Sequence, residues 1–526
     1  MASHRLAVTT RCGILSRFVL ESRKGDPLSD QTYQLAALAI YFAAMLAIGF
    51  YAYRRTDSHE DYMLAGRDLP PWAAALSAGA SDMSGWLMMG LPGAIYVAGL
   101  IEAWIAIGLS IGAYLNWRFV APRLRAYTEV SRNSITIPSF LENRLRDTSR
   151  LLRVASGVII LVFFTFYVSS GMVAGGVFFE SSFDSDYLLG MALVAGVTLL
   201  YTLFGGFLGA SLTDVVQGLM MMIALLIVPV MAIVAVGGPV EAFDAVRDLE
   251  PGHLSLFGGT ALTATAVVGI ISALGWGLGY FGQPHIIVRF MALRDPSSAT
   301  AARRIGMGWM ILSLLGAVVG GLVGVAYFAQ AETEVGDPET VMLTMSQILL
   351  HPIVAGFVLA AVLAAVMSTV SSQLIVCSSA LVEDLYKVVA KSDPSSRTLV
   401  TLGRACVLAV AVIAALLALN PDGTILSLVG FAWAGFGASF GPVILLSLFW
   451  RKLTNWGALT GMVAGAVTVF AWDAWGTDLY EIVPGFLVNL VVAVVVSRLT
   501  YQRDEEIEQE FDATVKLVQV REATAS

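Results

Sequence analysis

The chain has 526 residues, of which 57% are hydrophobic and 13% are charged, and its formal net charge is −8. Soluble globular proteins carry about 25% charged residues, so this composition excludes an ordinary soluble domain and indicates a polytopic membrane protein. Nucleic-acid binding is disfavoured, because no basic stripe with interleaved aromatic residues lies outside the apolar segments. The three cysteines, Cys12, Cys377 and Cys406, have no metal-ligand spacing and suggest no disulfide framework.

Residues 1–30 form a basic tail that has no continuous apolar core of the length a secretory signal needs. Two interpretations of this tail remain open. It is either a disordered extension, or the product of a mis-assigned start, with the native chain beginning nearer Val19 or Leu28.

Runs of about 20 apolar residues are long enough to cross the hydrocarbon core of a bilayer. Thirteen such runs predict thirteen membrane-spanning helices, numbered here spans 1 to 13: residues 33–53, 72–97, 101–121, 151–177, 187–206, 210–237, 261–288, 306–329, 353–380, 400–419, 424–450, 456–475 and 480–500. The predicted fold class is therefore an all-α polytopic membrane protein. Residues 31–501 form one transmembrane domain, and residues 502–526 form a charged, solvated helical tail.

Basic residues are concentrated in alternate loops between these spans. One set of loops contains Arg67, the stretch 118–153, Arg289 and Arg294, whereas the loop at residues 329–342 has four acidic residues and no basic one. Since cytoplasmic loops are enriched in lysine and arginine, this pattern predicts an outside N-terminus and a cytoplasmic C-terminus in the cytoplasmic membrane.

Span 2 contains an unusual stretch, "SAGASDMSGWLMMGLPGA", at residues 77–94. It has five glycines or prolines and the carboxylate of Asp82, far from either end of the apolar run. An ionisable group at that depth is costly in lipid, and helix-breaking residues are tolerated only where the backbone lines a protein-walled cavity. The stretch predicts a discontinuous helix beside a binding site.

Span 7 has a similar stretch five spans later, "LGWGLGYFGQPHIIVRF", at residues 274–290. Each stretch alone is compatible with a kinked packing helix. Together they favour two inverted repeats, spans 2–6 and spans 7–11, with a site where the two broken helices meet. The carbonyl and N–H groups freed at such breaks can bind a cation and a carboxylate.

Span 9 contributes hydroxyl groups in "AAVLAAVMSTVSSQLIVCSSALVEDLYK", residues 360–387. Ser368, Thr369, Ser371 and Ser372 either bond back to their own helical turn or offer oxygen ligands to a small cation such as Na⁺. No cluster of histidine and cysteine suited to a transition metal accompanies them.

These three stretches, with "FFTFYVSSGMVAG" in span 4, resemble the sodium/solute symporter family, and more narrowly its sodium/proline branch, from about residue 30 to about residue 500. The resemblance implies thirteen helices with a five-plus-five inverted-repeat core. It also implies Na⁺ as the coupling ion and L-proline as the transported solute. The expected surroundings are the lipid bilayer, and no obligate protein partner is evident from the sequence.

The resemblance further implies site residues. The implied Na⁺ ligands are the carbonyls of Ala80, Met83 and Ala365 and the hydroxyls of Ser368 and Thr369, with Asp82 needed for sodium affinity. The implied substrate residues are Ser84, Gly85, Trp86, Tyr167, Trp276, Tyr280, Gln283 and Pro284. Arg67 and Asp214 are the implied gating or ion-entry residues.

The broken spans predict a secondary active transporter that works by alternating access, and the resemblance implies that it couples uptake of L-proline to Na⁺. Trp276 and Tyr280 offer flat apolar faces to a pyrrolidine ring, and the broken segments have no arginine or lysine placed to pair with a charged solute side chain. The alternative is a sodium- or proton-coupled symporter of another small solute. A membrane enzyme is disfavoured, because His285 alone supplies no catalytic constellation, and a transport-like sensor is disfavoured by the short C-terminal tail.

Overall fold

The computed structural model describes residues 27–54, 64–259, 263–389, 395–420 and 423–525. Within these ranges the regular structure is helical, apart from one isolated parallel bridge between Leu69 and Leu293. Residues 1–26 of the predicted N-terminal tail, including Cys12, lie outside the described residues, so neither interpretation of the tail is tested.

The helices up to residue 249 are α1 (Pro27–Tyr53), α2 (Pro71–Asp82), α3 (Leu91–Ala98), α4 (Ala103–Leu115), α5 (Ala121–Val130), α6 (Ile137–Leu145), α7 (Leu151–Phe183), α8 (Tyr187–Val236) and α9 (Pro239–Leu249). The later helices are α10 (Ala264–Gly279), α11 (Pro284–Met291), α12 (Ser298–Gln330), α13 (Val341–Leu349), α14 (Pro352–Ser379), α15 (Ser396–Leu417), α16 (Ile425–Phe449), α17 (Asn455–Trp475), α18 (Ile482–Thr500) and α19 (Glu505–Ala525).

Local sequence signals fix several helix ends. The side chains of Asp186, Thr263 and Thr424 each accept a hydrogen bond from the main-chain N–H three residues later, and so begin α8, α10 and α16. Gly237 ends α8 with a φ of 117°, in the left-handed region that glycine enters without steric cost.

Eleven helical stretches among the described residues are long and apolar enough to cross a membrane. Two of them each cover a pair of predicted crossings, Trp86–Val130 with 45 residues and Tyr187–Val236 with 50. A continuous 50-residue helix would measure about 75 Å, far more than the hydrocarbon core. Gly99 and Gly206, with φ of 79° and 57°, interrupt the helical backbone inside these stretches. The all-helical membrane fold is confirmed, whereas the number thirteen is not and stays a prediction.

Both predicted breaks are present. Helix α2 ends at Asp82, Met83 leaves the helical conformation with φ −86° and ψ 82°, and a π-helical turn over Trp86–Gly90 leads into α3. Helix α10 ends at Gly279, and α11 begins at Pro284, whose missing N–H costs nothing at the first position of a helix. The expectation of two discontinuous helices is therefore confirmed.

Helices α14 and α16 form the centre of the molecule, since most residues of their apolar stretches are buried. Helix α14 packs against α1, α7 and α8, and α16 packs against α7, α17 and α18. The two breaks lie against this centre, because α2 packs against α14 and α10 packs against α16.

The C-terminal tail forms the predicted helix, α19, but one of its faces is not solvated. Phe511 is 6% exposed, and its ring lies 6.3 Å from that of Tyr127 in α5. Arg146 forms an ion pair with Glu510 at 2.6 Å. The tail is therefore docked on the end of the bundle that carries α5 and α6.

Candidate substrate and ion site

Asp82 lies between the two breaks and is 2% exposed. Its Oδ2 accepts a hydrogen bond from the hydroxyl of Tyr280, at the break between α10 and α11. Its main-chain carbonyl accepts from the indole of Trp86 at 3.3 Å and from the hydroxyl of Tyr167 at 3.4 Å. Its Oδ1 has no hydrogen-bond partner among the described residues. Four residues that were predicted separately on spans 2, 4 and 7 thus meet at one point.

The predicted ion ligands converge between α2 and α14. The hydroxyl of Ser368 donates to the carbonyl of Ala80 at 2.7 Å and to that of Ala365 at 3.1 Å. The hydroxyl of Thr369 donates to the carbonyl of Ala365 at 3.3 Å. A hydroxyl hydrogen can rotate away and leave its oxygen free to face a cation, so these four neutral oxygens can form part of one coordination shell. Met83, the fifth predicted ligand, is buried at the end of α2.

Four of the predicted substrate residues belong to the group around Asp82. The rings of Trp86 and Trp276 are 6.0 Å apart, and Tyr167 and Tyr280 both reach the Asp82 segment. Ser84 and Gly85 continue the main chain directly after the break. Gly85 leaves so little room that an added Cβ would lie 3.1 Å from Ala174 and 3.2 Å from Val366.

The other two predicted substrate residues lie on the α10–α11 break. The Gln283 side-chain amide donates to the carbonyl of Trp433 in α16 at 3.0 Å. Pro284 lines a separate cavity of about 20 Å³ that extends toward Thr136 and Asp384. These two residues therefore lie on the α11 side of the break, and their described contacts are with α16 and with this second cavity.

The space beside Asp82 is small. A cavity of about 20 Å³ is lined by Asp82, Met83, Tyr280, Met310 and Trp117, among others. This volume holds about one water molecule, whereas small-molecule pockets usually measure about 300–1,000 Å³. The conformation described here is thus closed around the site.

A carboxylate closes one side of the molecule. Glu339, in the short helical turn before α13, is 8% exposed and accepts hydrogen bonds from the N–H groups of Ile425 at 2.9 Å and Leu426 at 3.1 Å. Burial raises the pKa of the Glu339 carboxyl above its ordinary value, and the two N–H donors oppose that rise. The carboxylate thus caps the first turn of α16 and joins the α12–α13 loop to it. This contact could not be predicted from the sequence, since Glu339 is one of four acidic residues in its loop.

Arg67 closes the opposite side. It is 8% exposed and donates to the hydroxyl of Thr128 at 3.1 Å and to the carbonyls of Met291 at 3.2 Å and Ser134 at 2.5 Å. The nearby main chain is also paired, because the N–H of Leu69 donates to the carbonyl of Ala292 at 3.1 Å. These contacts join the start of α2 to the ends of α5 and α11. Arg67 thus contacts the last residue of α11, the helix that begins at the predicted substrate residue Pro284.

Asp214 in α8 lies within a buried polar network. It forms an ion pair with Arg289 at 3.0 Å and accepts from the hydroxyl of Ser77 at 2.7 Å, and Arg289 also donates to Ser372 at 2.6 Å. Ser77 and Ser372 each lie about one helical turn from the ion ligands, on the Arg67 side. Arg289, counted above among the loop arginines, is 1% exposed; that assignment was wrong, because the buried carboxylate of Asp214 compensates its charge inside the bundle.

Two further residues complete the site and were not predicted. Asn116 is fully buried, and its amide donates to the carbonyl of Tyr280 at 2.9 Å, which satisfies a main-chain group at the break. Trp433 contacts both sides of the same break. A lone buried asparagine in an apolar run is a sequence signal of intramembrane function, whereas a tryptophan in a glycine-rich span is not.

Comparison with known proteins relates this chain to transporters. The high-affinity proline transporter PutP of Bacillus subtilis (strain 168) is 55% identical over 470 residues, which cover 89% of this chain and 98% of that protein. The osmoregulated proline transporter OpuE of the same organism is 52% identical, with coverage of 89% and 94%. A sodium/proline symporter of Staphylococcus aureus (strain COL) is 48% identical over 501 residues, with coverage of 93% and 96%.

Solved structures share the fold. A Na⁺-coupled sialic acid symporter in a substrate-bound outward-open state superimposes with a TM-score of 0.77 at 20% identity, covering 90% of this chain and 99% of that one. MHP1, a nucleobase-cation-symport-1 family transporter, gives a TM-score of 0.51 at 14% identity, covering 86% and 98%. The family model described as the sodium:solute symporter family matches residues 62–465. The expected resemblance is thus confirmed, and the chain belongs to the sodium:solute symporter family.

Proposed function

We propose that this chain takes up L-proline together with Na⁺ by alternating access. The observation that carries the proposal is the convergence of the Ala80, Ala365, Ser368 and Thr369 oxygens beside a break that also contains Asp82. The names of relatives at 48–55% identity, all of them proline transporters or symporters, support proline as the solute and Na⁺ as the coupling ion.

Sodium would bind where α2 meets α14. In the described conformation the hydroxyls of Ser368 and Thr369 hydrogen-bond to carbonyls, and Na⁺ would replace those hydrogen bonds with ion–oxygen contacts. The ion would then hold Ala80 against α14 and fix the main chain that leads to Asp82. Asp82 adds the negative charge that favours a cation nearby, and Met83 supplies a further carbonyl.

The solute would bind on the other side of the same break. A proline zwitterion has no net charge, and no free cationic side chain is required to balance it. Arg289, the buried arginine of α11, already forms an ion pair with Asp214. The main chain at Ser84 and Gly85, the aromatic rings of Trp86, Tyr167, Trp276 and Tyr280, and the border residues Gln283 and Pro284 would surround the carboxylate, the amine and the ring.

Transport would alternate between breaking the Glu339 contact and breaking the Arg67 contacts. Both sets of contacts are formed in the described conformation, and the space beside Asp82 is closed. Opening at Glu339 would release the first turn of α16, and opening at Arg67 would release the start of α2. Asp214 would relay the ion on the Arg67 side.

The driving force is sufficient with one ion per solute. One charge crossing 100 mV contributes about 2.3 kcal/mol, and a tenfold sodium gradient adds about 1.4 kcal/mol. Their sum supports accumulation of a neutral solute by several hundredfold.

The basic loops support an orientation of this multi-pass membrane protein with the N-terminus outside and the C-terminal tail in the cytoplasm. Separately, the transporter family and relatives support a protein without enzymatic activity. Arg146 and Arg451, which pair with α19, belong to the loops that the positive-inside pattern assigns to the cytoplasm. The Glu339 contact would then close the outer side. Residues 31–501 would act as one transport domain.

A proton-coupled symporter is the second candidate. The observation that favours it is that Oδ1 of Asp82 has no hydrogen-bond partner among the described residues. A proton bound to this oxygen would neutralise the carboxylate, and the protein would then carry a proton where the first candidate carries Na⁺.

Uptake of radiolabelled L-proline into proteoliposomes tests both candidates. The experiment compares an inward Na⁺ gradient with an equal K⁺ gradient and with a proton gradient, in the wild type and in Thr369→Ala. Thr401→Ala, at an exposed position of α15, serves as the matched control. The proposal expects Na⁺-driven uptake that is lost in Thr369→Ala and kept in Thr401→Ala. Uptake driven by protons alone would favour the second candidate, and Na⁺-driven uptake of a different solute would reject proline.

A further inference from the structure

Trp433 in α16 bridges the break between α10 and α11. Its indole N–H donates to the carbonyl of Trp276 at 2.8 Å, and its own carbonyl accepts from the side chain of Gln283 at 3.0 Å. At this break the N–H of Tyr280 bonds to Leu278 and so leaves the Trp276 carbonyl to another donor. Trp433 therefore hydrogen-bonds to the Trp276 carbonyl on the α10 side of the break and to the Gln283 side chain on the α11 side.

The ring of Trp433 extends the aromatic wall of the site. It stacks on Trp276 at 6.2 Å with an interplanar angle of 27°, and it meets Tyr280 edge-on at 5.3 Å and 85°. The side chain is 1% exposed. Trp433 thus contacts Trp276 and Tyr280, the two aromatic residues that offer apolar faces to the solute in the proposed site.

The absence of a side chain at Gly279 allows the ring of Trp433 to lie against the end of α10. A Cβ at Gly279 would lie 2.0 Å from Trp433 Nε1, so the indole fills the space directly over the end of α10. The ring cannot withdraw toward α10 to admit a larger solute. Movement of α16, which carries the indole, would therefore change the space beside Trp276 and Tyr280.

Helix α16 also carries the contact that closes the outer side. Glu339 caps Ile425 and Leu426, and Trp433 follows Ile425 by eight residues, or about 12 Å along the helix. Release of the cap would free the first turn of α16 and allow the following turns, which carry the indole, to shift. The indole then returns over the solute when the cap re-forms, and its bulk limits what can be enclosed.

We propose that Trp433 sets the largest ring that the site accepts, so that a five-membered cyclic amino acid is enclosed and a six-membered one is rejected. This inference rests on the proposed function. A pocket wall discriminates against one additional methylene by about 10- to 200-fold. Phenylalanine keeps an aromatic face at this position but is smaller than indole, and it lacks the N–H donor.

Uptake of a ring-size series tests the proposal in proteoliposomes under a Na⁺ gradient. The solutes are L-azetidine-2-carboxylate, L-proline and L-pipecolate, with rings of four, five and six atoms. Wild type, Trp433→Phe and Trp433→Tyr are compared, and Trp475→Phe, at a position 72% exposed, is the control. For each solute kcat and KM are measured, and half-saturating Na⁺ is measured with proline.

The wild type is expected to prefer proline to pipecolate by at least about tenfold in kcat/KM. In Trp433→Phe that preference should shrink, mainly through a lower KM for pipecolate, with half-saturating Na⁺ unchanged. If Trp433→Phe does not yield a monodisperse protein, Trp433→Tyr decides. An unchanged ring-size preference in a variant that still transports proline would overturn the inference and reduce Trp433 to a packing residue. Absence of proline uptake in the wild type would instead reject the proposed function.

Discussion

Asp82 joins the two breaks, because it accepts hydrogen bonds from Tyr280, Trp86 and Tyr167. A buried carboxylate near a cation site contributes by its charge, and a unit charge about 5 Å away at an effective dielectric constant of about 20 is worth about 3 kcal/mol. Its hydrogen bond with Tyr280 contributes separately to the closed geometry.

Asp82→Asn separates these two contributions, because asparagine can still accept from Tyr280 but has no charge. We expect half-saturating Na⁺ for proline uptake to rise at least tenfold, with a smaller change in the maximal rate. The control is Asp478→Asn, at an exposed position before α18. Equal sodium dependence in Asp82→Asn and wild type would exclude an electrostatic role.

The buried ion pair between Asp214 and Arg289 leads to a prediction about the thermal stability of the fold. Both side chains are almost fully buried, and removing one partner of such a pair costs about 3–5 kcal/mol because the other charge is left uncompensated. Asp214→Ala and Arg289→Ala should each lower the thermal unfolding midpoint markedly in detergent, and the double variant should lose less than the sum of the two.

The exposed pair Asp244–Arg247, at 54% and 62% exposure, is the matched comparison. Its removal should change the midpoint little, since exposed ion pairs contribute about 0–1 kcal/mol. Additive losses at Asp214 and Arg289 would show that the two charges are not coupled.

The polar site residues could be predicted from sequence because each is costly in lipid. Asp82, Ser368 and Thr369 interrupt apolar runs, and such interruptions need a functional or structural partner. Arg289 could not be assigned, because it lies near the end of an apolar run, where an arginine normally reaches the interface. Trp433 could not be assigned either, since its role depends on a main-chain carbonyl 157 residues away.

The cap of Glu339 on α16 is the element contact with the clearest consequence. Losing a helix N-cap costs about 0.5–2 kcal/mol, equivalent to roughly a 2- to 30-fold shift between closed and open states. Glu339→Ala should therefore favour opening of the side that this contact closes, which is the outer side in the proposed orientation. A cysteine introduced at Leu426, in a background without native cysteines, should react faster with a membrane-impermeant maleimide added outside.

Glu334→Ala, an exposed acidic position of the same loop, should leave the reaction rate at its wild-type value. Equal rates in both variants would mean that Glu339 does not hold α16. Faster labelling in both would point to the charge of the loop and not to the cap.

Helix α19 provides a second prediction at this scale. Its ion pairs are partly exposed and individually weak, so the buried ring of Phe511 should supply most of its docking energy. Phe511→Ala should release the helix, and trypsin should then cut faster after Lys516, which is exposed on α19.

Gln509→Ala, on the exposed face of α19, is the control and should leave the cleavage rate unchanged. Wild-type cleavage of Phe511→Ala would show that the ion pairs alone dock the helix. Slower proline uptake in the released variant would additionally connect docking with transport.

The broken helices were predictable because glycine and proline mark them, and their pairing at a spacing of five spans is a further signal. The helices α6, α9 and α13 were not predicted. They have 9 to 11 residues, too short for a search based on spans of about 20 apolar residues. The length of α7 was likewise underestimated, since the helix continues to Phe183, past the end of the apolar run at residue 177.

At the scale of the whole molecule, the described conformation is closed on both sides of the site. Glu339 joins the α12–α13 loop to α16, and Arg67 joins the start of α2 to α5 and α11. The ion ligands join α2 to α14 between these two closures. Sodium bound there would favour the arrangement of α2 that binds solute, and by thermodynamic linkage the solute would raise sodium affinity by the same factor.

Equilibrium binding of radiolabelled L-proline to the purified protein, titrated with Na⁺ at constant ionic strength with K⁺, measures this linkage without any transport step. We expect proline affinity to rise with Na⁺, and Thr369→Ala to need more Na⁺ for the same affinity while Thr401→Ala titrates as the wild type does. Proline binding of equal affinity in Na⁺ and K⁺ would contradict the coupling of the two sites through α2 and α14.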